Sequence, residues 1–132
     1  MYKQLHATCV TDKKYGILLR GPSGSGKSDL ALRLIAQGYI LNADDIVIVY
    51  PEKEQLIGSP SKDLFGLIEV RGVGILKMNY KPKSQINLIA NLITNYSVQR
   101  LPLPKKSNIL GIEIPLGTKI GGGVIIDHGQ AL

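Results

Sequence analysis

A single α/β domain that is richer in strands than in helices is the fold class that the sequence predicts. The chain has 132 residues, which is enough for one packed domain, and residues 1–132 are assigned to it. One segment has helical periodicity, whereas many short apolar runs are separated by turns that use the 15 glycines. The expected architecture is therefore a strand-rich mixed sheet with one helix packed on it.

The helix is predicted for residues 27–37. Leu30, Ala31, Leu34 and Ile35 recur at the spacing of one helix face, which would pack on the sheet. Gly38 supplies the left-handed residue that commonly ends a helix. Strands are predicted for residues 5–10, 15–20, 39–41, 46–50, 56–58, 67–71, 73–78, 85–93, 109–114 and 124–127, with a turn at 59–60 and an extended, exposed segment at 101–106. Residues 85–93 alternate poorly and are also compatible with one short helix, although a strand is preferred.

The composition excludes several classes of protein. The hydrophobic content of 44% suits a packed core, but no segment reaches the length of a membrane span, and the N-terminus lacks the apolar centre of a signal peptide. The single cysteine, Cys9, lies in an apolar run, where we expect it to be buried, and it fits a cytoplasmic protein. The formal net charge of +6 comes without any basic run that contains aromatic residues. Neither nucleic acid nor a membrane is therefore expected as a partner.

The clearest chemical signal is a glycine-rich loop between the strand at 15–20 and the helix. Its sequence, Gly-Pro-Ser-Gly-Ser-Gly-Lys-Ser, follows the pattern of a phosphate-binding P-loop. The glycines let the backbone curl around an oligophosphate, whose charge would face backbone N–H groups and the N-terminus of the helix. The lysine would reach the outer phosphates and the last serine would ligate Mg²⁺. The predicted nucleotide-binding residues are Gly21, Pro22, Ser23, Gly24, Ser25, Gly26, Lys27 and Ser28.

Acidic residues that could serve the metal and the proton follow the loop. Asp44 and Asp45 come after the strand at 39–41, and neighbouring residues at a strand end project in different directions, so one can serve a metal and the other a substrate. Glu69 and Arg71 share one face of the strand at 67–71, because side chains alternate along a strand. Each group alone also fits a solvated turn or an ion pair, but the P-loop beside them favours a functional interpretation.

Together these segments resemble a known family. The P-loop, the Leu-Asn-Ala-Asp-Asp segment at 41–45 and the Ile-Glu-Val-Arg-Gly-Val-Gly segment at 68–74 are similar in order and spacing to the catalytic domain of HPr kinase/phosphorylase. The resemblance implies the fold shared by HPr kinase and phosphoenolpyruvate carboxykinase. It also implies an ATP- and Mg²⁺-dependent kinase that phosphorylates a serine of the phosphocarrier protein HPr, and it is compatible with a homo-oligomer. Among the family's forms, the chain is similar to the short one, without a separate N-terminal domain.

The resemblance also implies a role for each matching residue. Asp44 would be the general base that takes the proton of the acceptor serine, and His6 would lie beside Asp44. In the reverse reaction inorganic phosphate would remove the phosphoryl group, with Asp44 as the acid. The catalytic residues implied in this way are His6, Lys27, Asp44 and Arg71, and the metal-binding residues are Ser28, Asp45 and Glu69.

The resemblance weakens in the C-terminal third, and other functions stay open. Long-form members carry a Pro-x-Arg-Pro-Gly-Arg stretch there, whereas residues 115–119 read Pro-Leu-Gly-Thr-Lys and contain no arginine. This difference concerns the phosphorylase reaction more than the kinase reaction. A nucleotide-binding regulatory module with weak or no transfer activity is the first alternative, and a small-molecule kinase is the second. A GTPase is excluded because the chain has no Asn-Lys-x-Asp segment for guanine recognition.

Overall fold

The computed structural model describes residues 1–93, 106–120 and 123–126. Within these ranges the chain forms a single helix, α1 (Lys27–Ala36), and thirteen strands. The strands are β1 (Lys3–His6), β2 (Thr8–Thr11), β3 (Gly16–Arg20), β4 (Ile40–Ala43), β5 (Ile46–Glu52), β6 (Gln55–Pro60), β7 (Leu67–Val70), β8 (Gly74–Lys77), β9 (Ser84–Gln85), β10 (Leu88–Ile93), β11 (Lys106–Ile109), β12 (Ile112–Ile120) and β13 (Gly123–Ile126). The strand-rich α/β architecture predicted from the sequence is confirmed.

A seven-stranded mixed sheet forms the centre of the fold. Its order is β11-β12-β10-β3-β2-β4, and β13 pairs with β12 as well. Strands β3, β10 and β12 run parallel to one another, whereas β2 is antiparallel to both β3 and β4. The carboxyl ends of the three parallel strands therefore lie at one edge of the sheet, which is where ligands bind in open α/β sheets.

Two smaller sheets flank the central one. Strands β1, β5, β6 and β9 form an antiparallel sheet in the order β1-β5-β6-β9. Strands β7 and β8 form a separate two-stranded hairpin with a turn at residues 71–73. Ile68 of β7 is fully buried and belongs to the same apolar cluster as helix α1, so the hairpin is attached to the helix side of the molecule.

Apolar side chains fill both faces of the central sheet. Along β3, Leu18 belongs to the cluster that the four-stranded sheet covers, whereas Ile17 and Leu19 belong to the cluster beneath helix α1. This alternation buries both faces of the strand, as expected for a parallel strand at the centre of a fold. The helix contributes the face predicted from its periodicity, namely Leu30, Ala31, Leu34 and Ile35.

Three predicted strands each divide into two elements. Residues 85–93 contain the end of β9, in the four-stranded sheet, and β10, in the central sheet. Residues 5–10 divide at Ala7, where the chain passes from β1 in the four-stranded sheet to β2 in the central sheet, and the Ala7 N–H bonds the Asp45 carbonyl at 3.2 Å instead of a strand neighbour. Residues 109–114 contain the two-residue turn between β11 and β12. Leu110 and Gly111 have φ values of 53° and 86°, which match the hairpin turn that has two left-handed residues.

Other sequence predictions concern single segments of the chain. The turn predicted at 59–60 is wrong, because β6 continues through Pro60 and pairs with β5 over this stretch. Residues 101–105 and 127 lie outside the described residues.

Cys9 is buried as expected, and burial raises the pKa of its thiol to about 12, so it is not a nucleophile. In the described part of the chain, no helix has the length and apolarity needed to span a membrane.

Candidate functional site

The glycine-rich loop lies at the carboxyl edge of the parallel strands. Strand β3 ends at Arg20, the loop follows, and α1 begins at Lys27, which is the strand–loop–helix order that a P-loop requires. Gly24 and Gly26 have φ values of 81° and 96°, a region that other residues rarely adopt. Gly26 occupies the N-cap of α1 without a side-chain hydrogen bond. The first N–H groups of the helix are therefore left for an anionic ligand.

Gly21 is required for a different reason, namely its close approach to strand β10. A Cβ at this position would lie 2.9 Å from the Leu92 carbonyl oxygen and 2.6 Å from Ser25 Oγ. The Ser25 N–H donates to the Pro22 carbonyl at 3.0 Å and tightens the loop further. The start of the P-loop is thus packed against the end of the neighbouring parallel strand.

Lys27 folds back onto its own loop. Its Nζ donates to the Gly21 carbonyl at 2.7 Å and to the Pro22 carbonyl at 3.1 Å. A lysine at this position of a P-loop contacts the outer phosphates of a bound nucleotide. Nucleotide binding would therefore exchange these two carbonyl contacts for phosphate contacts.

Asp44 lies at the centre of a buried hydrogen-bond network. The residue is only 6% exposed. Its Oδ1 accepts hydrogen bonds from Thr8 Oγ1 at 2.8 Å and from Ser28 Oγ at 3.2 Å, while its Oδ2 accepts one from the Glu69 N–H at 2.9 Å. Both carboxylate oxygens are thus held by strand β2, helix α1 and hairpin strand β7. This side chain fixes the relative positions of three elements.

Asp45 has a different environment because the backbone reverses at this residue. Its φ is 69°, and the Ile46 N–H bonds the Asp44 carbonyl at 2.7 Å, so the three residues form a γ-turn of the strained, positive-φ kind. The side chain is 60% exposed, and its Oδ1 lies 2.9 Å from His6 Nε2. The sequence resemblance placed His6 beside Asp44. In the structure, His6 forms its hydrogen bond with Asp45 instead.

Hairpin β7–β8 carries the remaining two predicted site residues. Strand β7 ends at Val70, so Arg71 belongs to the following turn and not to the strand on which it was predicted. The Arg71 Nη1 lies 3.7 Å from the position that a Cβ on Gly24 would occupy. The guanidinium group is therefore close to the middle of the P-loop.

A cleft of about 380 Å³ connects these groups. It contains every catalytic and metal-binding residue suggested by the sequence, whereas Gly21, Pro22 and Ser25 do not line it. Thr8 is a lining residue that the sequence analysis missed, because its role depends on a contact between strands that no local pattern reports. The lining residues are His6, Thr8, Ser23, Gly24, Gly26, Lys27, Ser28, Asp29, Leu32, Asp44, Asp45, Glu69, Val70 and Arg71.

The cleft contains hydroxyl and carboxylate oxygens, which are ligand atoms that Mg²⁺ prefers. It is lined by side chains with hydroxyl or carboxylate oxygens, including Ser28, Asp44, Asp45 and Glu69. In the described ranges, no group of three or more His, Cys, Asp or Glu side chains is arranged to hold a metal ion by itself. Mg²⁺ commonly takes one or two protein oxygens and completes its shell with phosphates and water, and the four side chains named above carry oxygens of that kind.

Comparisons with known proteins identify the family of the chain. Residues 1–120 match the family model of the HPr Serine kinase C-terminal domain. The HPr kinase/phosphorylase of Chlorobium phaeobacteroides is 33% identical over 129 residues, which cover 88% of this chain and 40% of that protein. The enzyme of the same name from Limosilactobacillus reuteri is 41% identical over 100 residues, or 70% of this chain and 31% of the relative. The chain therefore spans well under half the length of these relatives.

A solved structure extends the agreement to the fold. The structure of the Hpr(Ser) kinase/phosphatase from Coxiella burnetii superposes with a TM-score of 0.80 at 28% sequence identity. The match covers 91% of this chain and 87% of that one. The family model thus matches most of the chain, the two relatives are more than 30% identical to it, and the solved structure shares its fold. The chain belongs to the family of the HPr serine kinase C-terminal domain.

Proposed function

We propose that the chain is an ATP- and Mg²⁺-dependent kinase that phosphorylates a serine of HPr or of an HPr-like phosphocarrier protein. The observation that carries the proposal is the pairing, across one cleft, of a phosphate-binding loop with an exposed carboxylate, Asp45, that contacts His6. The names of the relatives supply the acceptor, since they are HPr kinase/phosphorylases. The regulatory module and the small-molecule kinase have no comparable observation in their favour.

ATP would bind with its phosphates in the loop. The N–H groups at the start of α1 and the Lys27 ammonium group would contact the phosphates once Lys27 leaves the Gly21 and Pro22 carbonyls. Arg71, which lies near Gly24, would add a second cation beside the loop. Lysine, arginine and the helix N-terminus together stabilise the charge that develops during phosphoryl transfer.

The geometry favours exchanging the roles that the sequence resemblance suggested for the two aspartates. Both Asp44 oxygens already accept hydrogen bonds and the residue is nearly buried, so an acceptor serine has no free access to it. Its contact with Ser28 instead orients the hydroxyl that would ligate Mg²⁺. We therefore assign Ser28 and Glu69 to the metal, with Asp44 holding Ser28. When bound, Mg²⁺ would neutralise negative charge on the phosphates.

Asp45 is the better candidate for the general base. It is exposed to the cleft, and the His6 contact holds its Oδ1 while leaving the rest of the carboxylate accessible. In the proposed step, Asp45 takes the serine hydroxyl proton, and the serine oxygen forms a bond to the γ-phosphorus. The bond from that phosphorus to the bridging oxygen breaks, and ADP leaves. In the reverse direction, protonated Asp45 would return the proton to the serine oxygen while inorganic phosphate takes the phosphoryl group.

The test is transfer of labelled γ-phosphate from ATP to purified HPr, with the wild type, Asp45→Asn and Asp44→Asn compared. Asp45→Asn should bind ATP normally yet lose transfer by about 10²-fold or more, because the proton acceptor is lost. Asp44→Asn should instead require more Mg²⁺ for half-maximal transfer. Wild-type transfer rates in Asp45→Asn would refute the base assignment. A wild type that binds ATP and leaves HPr unlabelled would refute the kinase proposal in favour of a regulatory module.

A further inference from the structure

We propose that the outer face of hairpin β7–β8 is the docking surface for the protein acceptor, and that it contacts apolar side chains next to the acceptor serine. This inference rests on the proposed function and adds the determinant of protein specificity. It concerns Val73 in the turn and Ile75 in β8, two aliphatic residues that no part of the site described above uses.

The first observation is their exposure. Val73 and Ile75 are each 69% exposed, although fully burying such a side chain is favourable by about 1.5–3 kcal/mol. Val73 is held at the tip of the turn between Gly72 and Gly74, whose φ values are 82° and 116°. Turn tips of this kind ordinarily carry Gly, Asn, Asp or Ser. The fold itself therefore gives no reason for an aliphatic residue at this position.

The second observation is that these residues lie next to residues that line the cleft. Ile75 is paired directly opposite Glu69 across the hairpin, so the two side chains share one face. Glu69 lines the cleft, and so does Arg71, two residues before Val73. A polypeptide that brings a serine to Asp45 between these groups would pass over Ile75 and Val73.

The third observation is that the hairpin is fixed in place. Ile68 is buried in the cluster beneath α1, the Glu69 N–H bonds Asp44 Oδ2, and the Met78 N–H bonds the Gly66 carbonyl at 2.7 Å. A surface that is held in this way loses little conformational freedom on binding, which favours recognition. The P-loop would bind the phosphates of the nucleotide. The apolar side chains of Val73 and Ile75 next to the cleft are therefore suited to contact the protein partner.

The experiment compares the double variant Val73→Ser/Ile75→Ser with the control Ile40→Ser. Ile40 is 40% exposed and lies at the start of β4, at the opposite end of that strand from the site. The KM for HPr and the KM for ATP are measured for each protein, and binding of HPr is measured directly in the Asp45→Asn background. The double variant should raise the KM for HPr and weaken HPr binding at least 10-fold, with the KM for ATP unchanged. The control should change neither value.

The possible outcomes separate this inference from the proposed function. An unchanged KM for HPr in a double variant that transfers phosphate would overturn the docking surface and leave the kinase intact. Absence of transfer and of HPr binding in the wild type would overturn the proposed function itself. If light scattering shows that the double variant changes the oligomeric state and the loss of activity follows dissociation, a second copy of the chain covers this face and the inference is wrong.

Discussion

At the scale of single residues, the two neighbouring aspartates show how one backbone angle separates two environments. The strand-end position predicts that Asp44 and Asp45 point in different directions, and their different partners agree with this. Which of them is buried depends on the γ-turn at Asp45. A positive φ at an aspartate has no local sequence signal beyond the general tolerance of Asp for this conformation. The position of the glycine-rich loop between a strand and a helix could therefore be predicted, but the different burial of the two aspartates could not.

Thr8 provides a prediction at the same scale. Thr8→Val keeps the shape of the side chain and removes the donor to Asp44 Oδ1, which leaves the buried carboxylate with one partner fewer. We expect the unfolding free energy to fall by about 1–2 kcal/mol. The Mg²⁺ concentration for half-maximal activity should rise about 10-fold, because Thr8 holds the carboxylate that orients Ser28 and losing an outer partner of a metal site typically lowers metal affinity by about this factor. Urea unfolding and a Mg²⁺ titration at saturating ATP measure the two effects.

Thr8→Ser is the matched control for this prediction. It retains the hydroxyl at the same position and should restore the Mg²⁺ requirement of the wild type. If Thr8→Ser and Thr8→Val require equally high Mg²⁺, the hydroxyl does not position Asp44, and the effect of Thr8→Val is one of packing only.

At the scale of elements, the helix and most strands follow their sequence patterns, whereas the places where the chain changes sheet do not. Helix α1 begins at the predicted residue and ends within one residue of the prediction. The break at Ala7 lies inside the predicted strand at 5–10, because the mostly exposed β1 pairs with β5 whereas the buried β2 pairs with β3 and β4. Periodicity reports burial but does not identify the sheet that provides it. The local pattern therefore could not reveal this break, although it places His6 and Thr8 in the site.

The turn between β2 and β3 gives a prediction of pH dependence. Hydrogen bonds from the Lys14 and Tyr15 N–H groups lower the pKa of Asp12 from its ordinary value of 3.8. A lowered pKa in the folded state means that the ionised carboxylate stabilises the turn above about pH 4 and loses this effect as the pH falls through the lowered value. The difference in unfolding free energy between the wild type and Asp12→Asn should therefore shrink as the pH is lowered from about 5 to about 2.

Urea unfolding at several pH values measures this difference. A difference that stays constant over the whole range would show that the charge of Asp12 is not the stabilising feature. The hydrogen-bonded shape of the turn would then be sufficient, since an Asn side chain can accept the same two bonds.

At the scale of the whole molecule, the site depends on the approach of two sheets that are distant in sequence. Gly16 of β3 lies against β9 of the four-stranded sheet. Its N–H donates to Asn87 Oδ1 at 2.8 Å, and its carbonyl accepts a hydrogen bond from the Asn87 N–H at 2.8 Å. Strand β3 leads directly into the P-loop. The sequence predicts β3 but merges β9 and β10 into one strand, and it does not report this contact, because 71 residues separate Gly16 from Asn87 and no local pattern spans that distance.

Gly16→Ala tests this contact between the sheets. A Cβ at Gly16 would lie 1.9 Å from the Gln85 carbonyl oxygen and 2.6 Å from Ser84 Oγ, so the backbone of one sheet must move. We expect a loss of about 3 kcal/mol in unfolding free energy. Gly58→Ala is the control, because its nearest neighbours lie at 3.2–3.4 Å and include the flexible end of Ile86, and it should cost less than about 1 kcal/mol. Equal losses in urea unfolding would contradict the proposed role of this contact.

The hydrogen bond from the Glu69 amide to Asp44 has a consequence for how the molecule can be observed. This amide belongs to a hairpin whose second strand is exposed throughout, yet its proton is held by a nearly buried carboxylate. Its exchange with solvent should therefore be slow compared with that of its neighbours, since exchange requires the bond to open. The resonance of this one backbone proton is a spectroscopic reporter of the Asp44 carboxylate, available in the unmodified chain and readable without any assay of phosphate transfer.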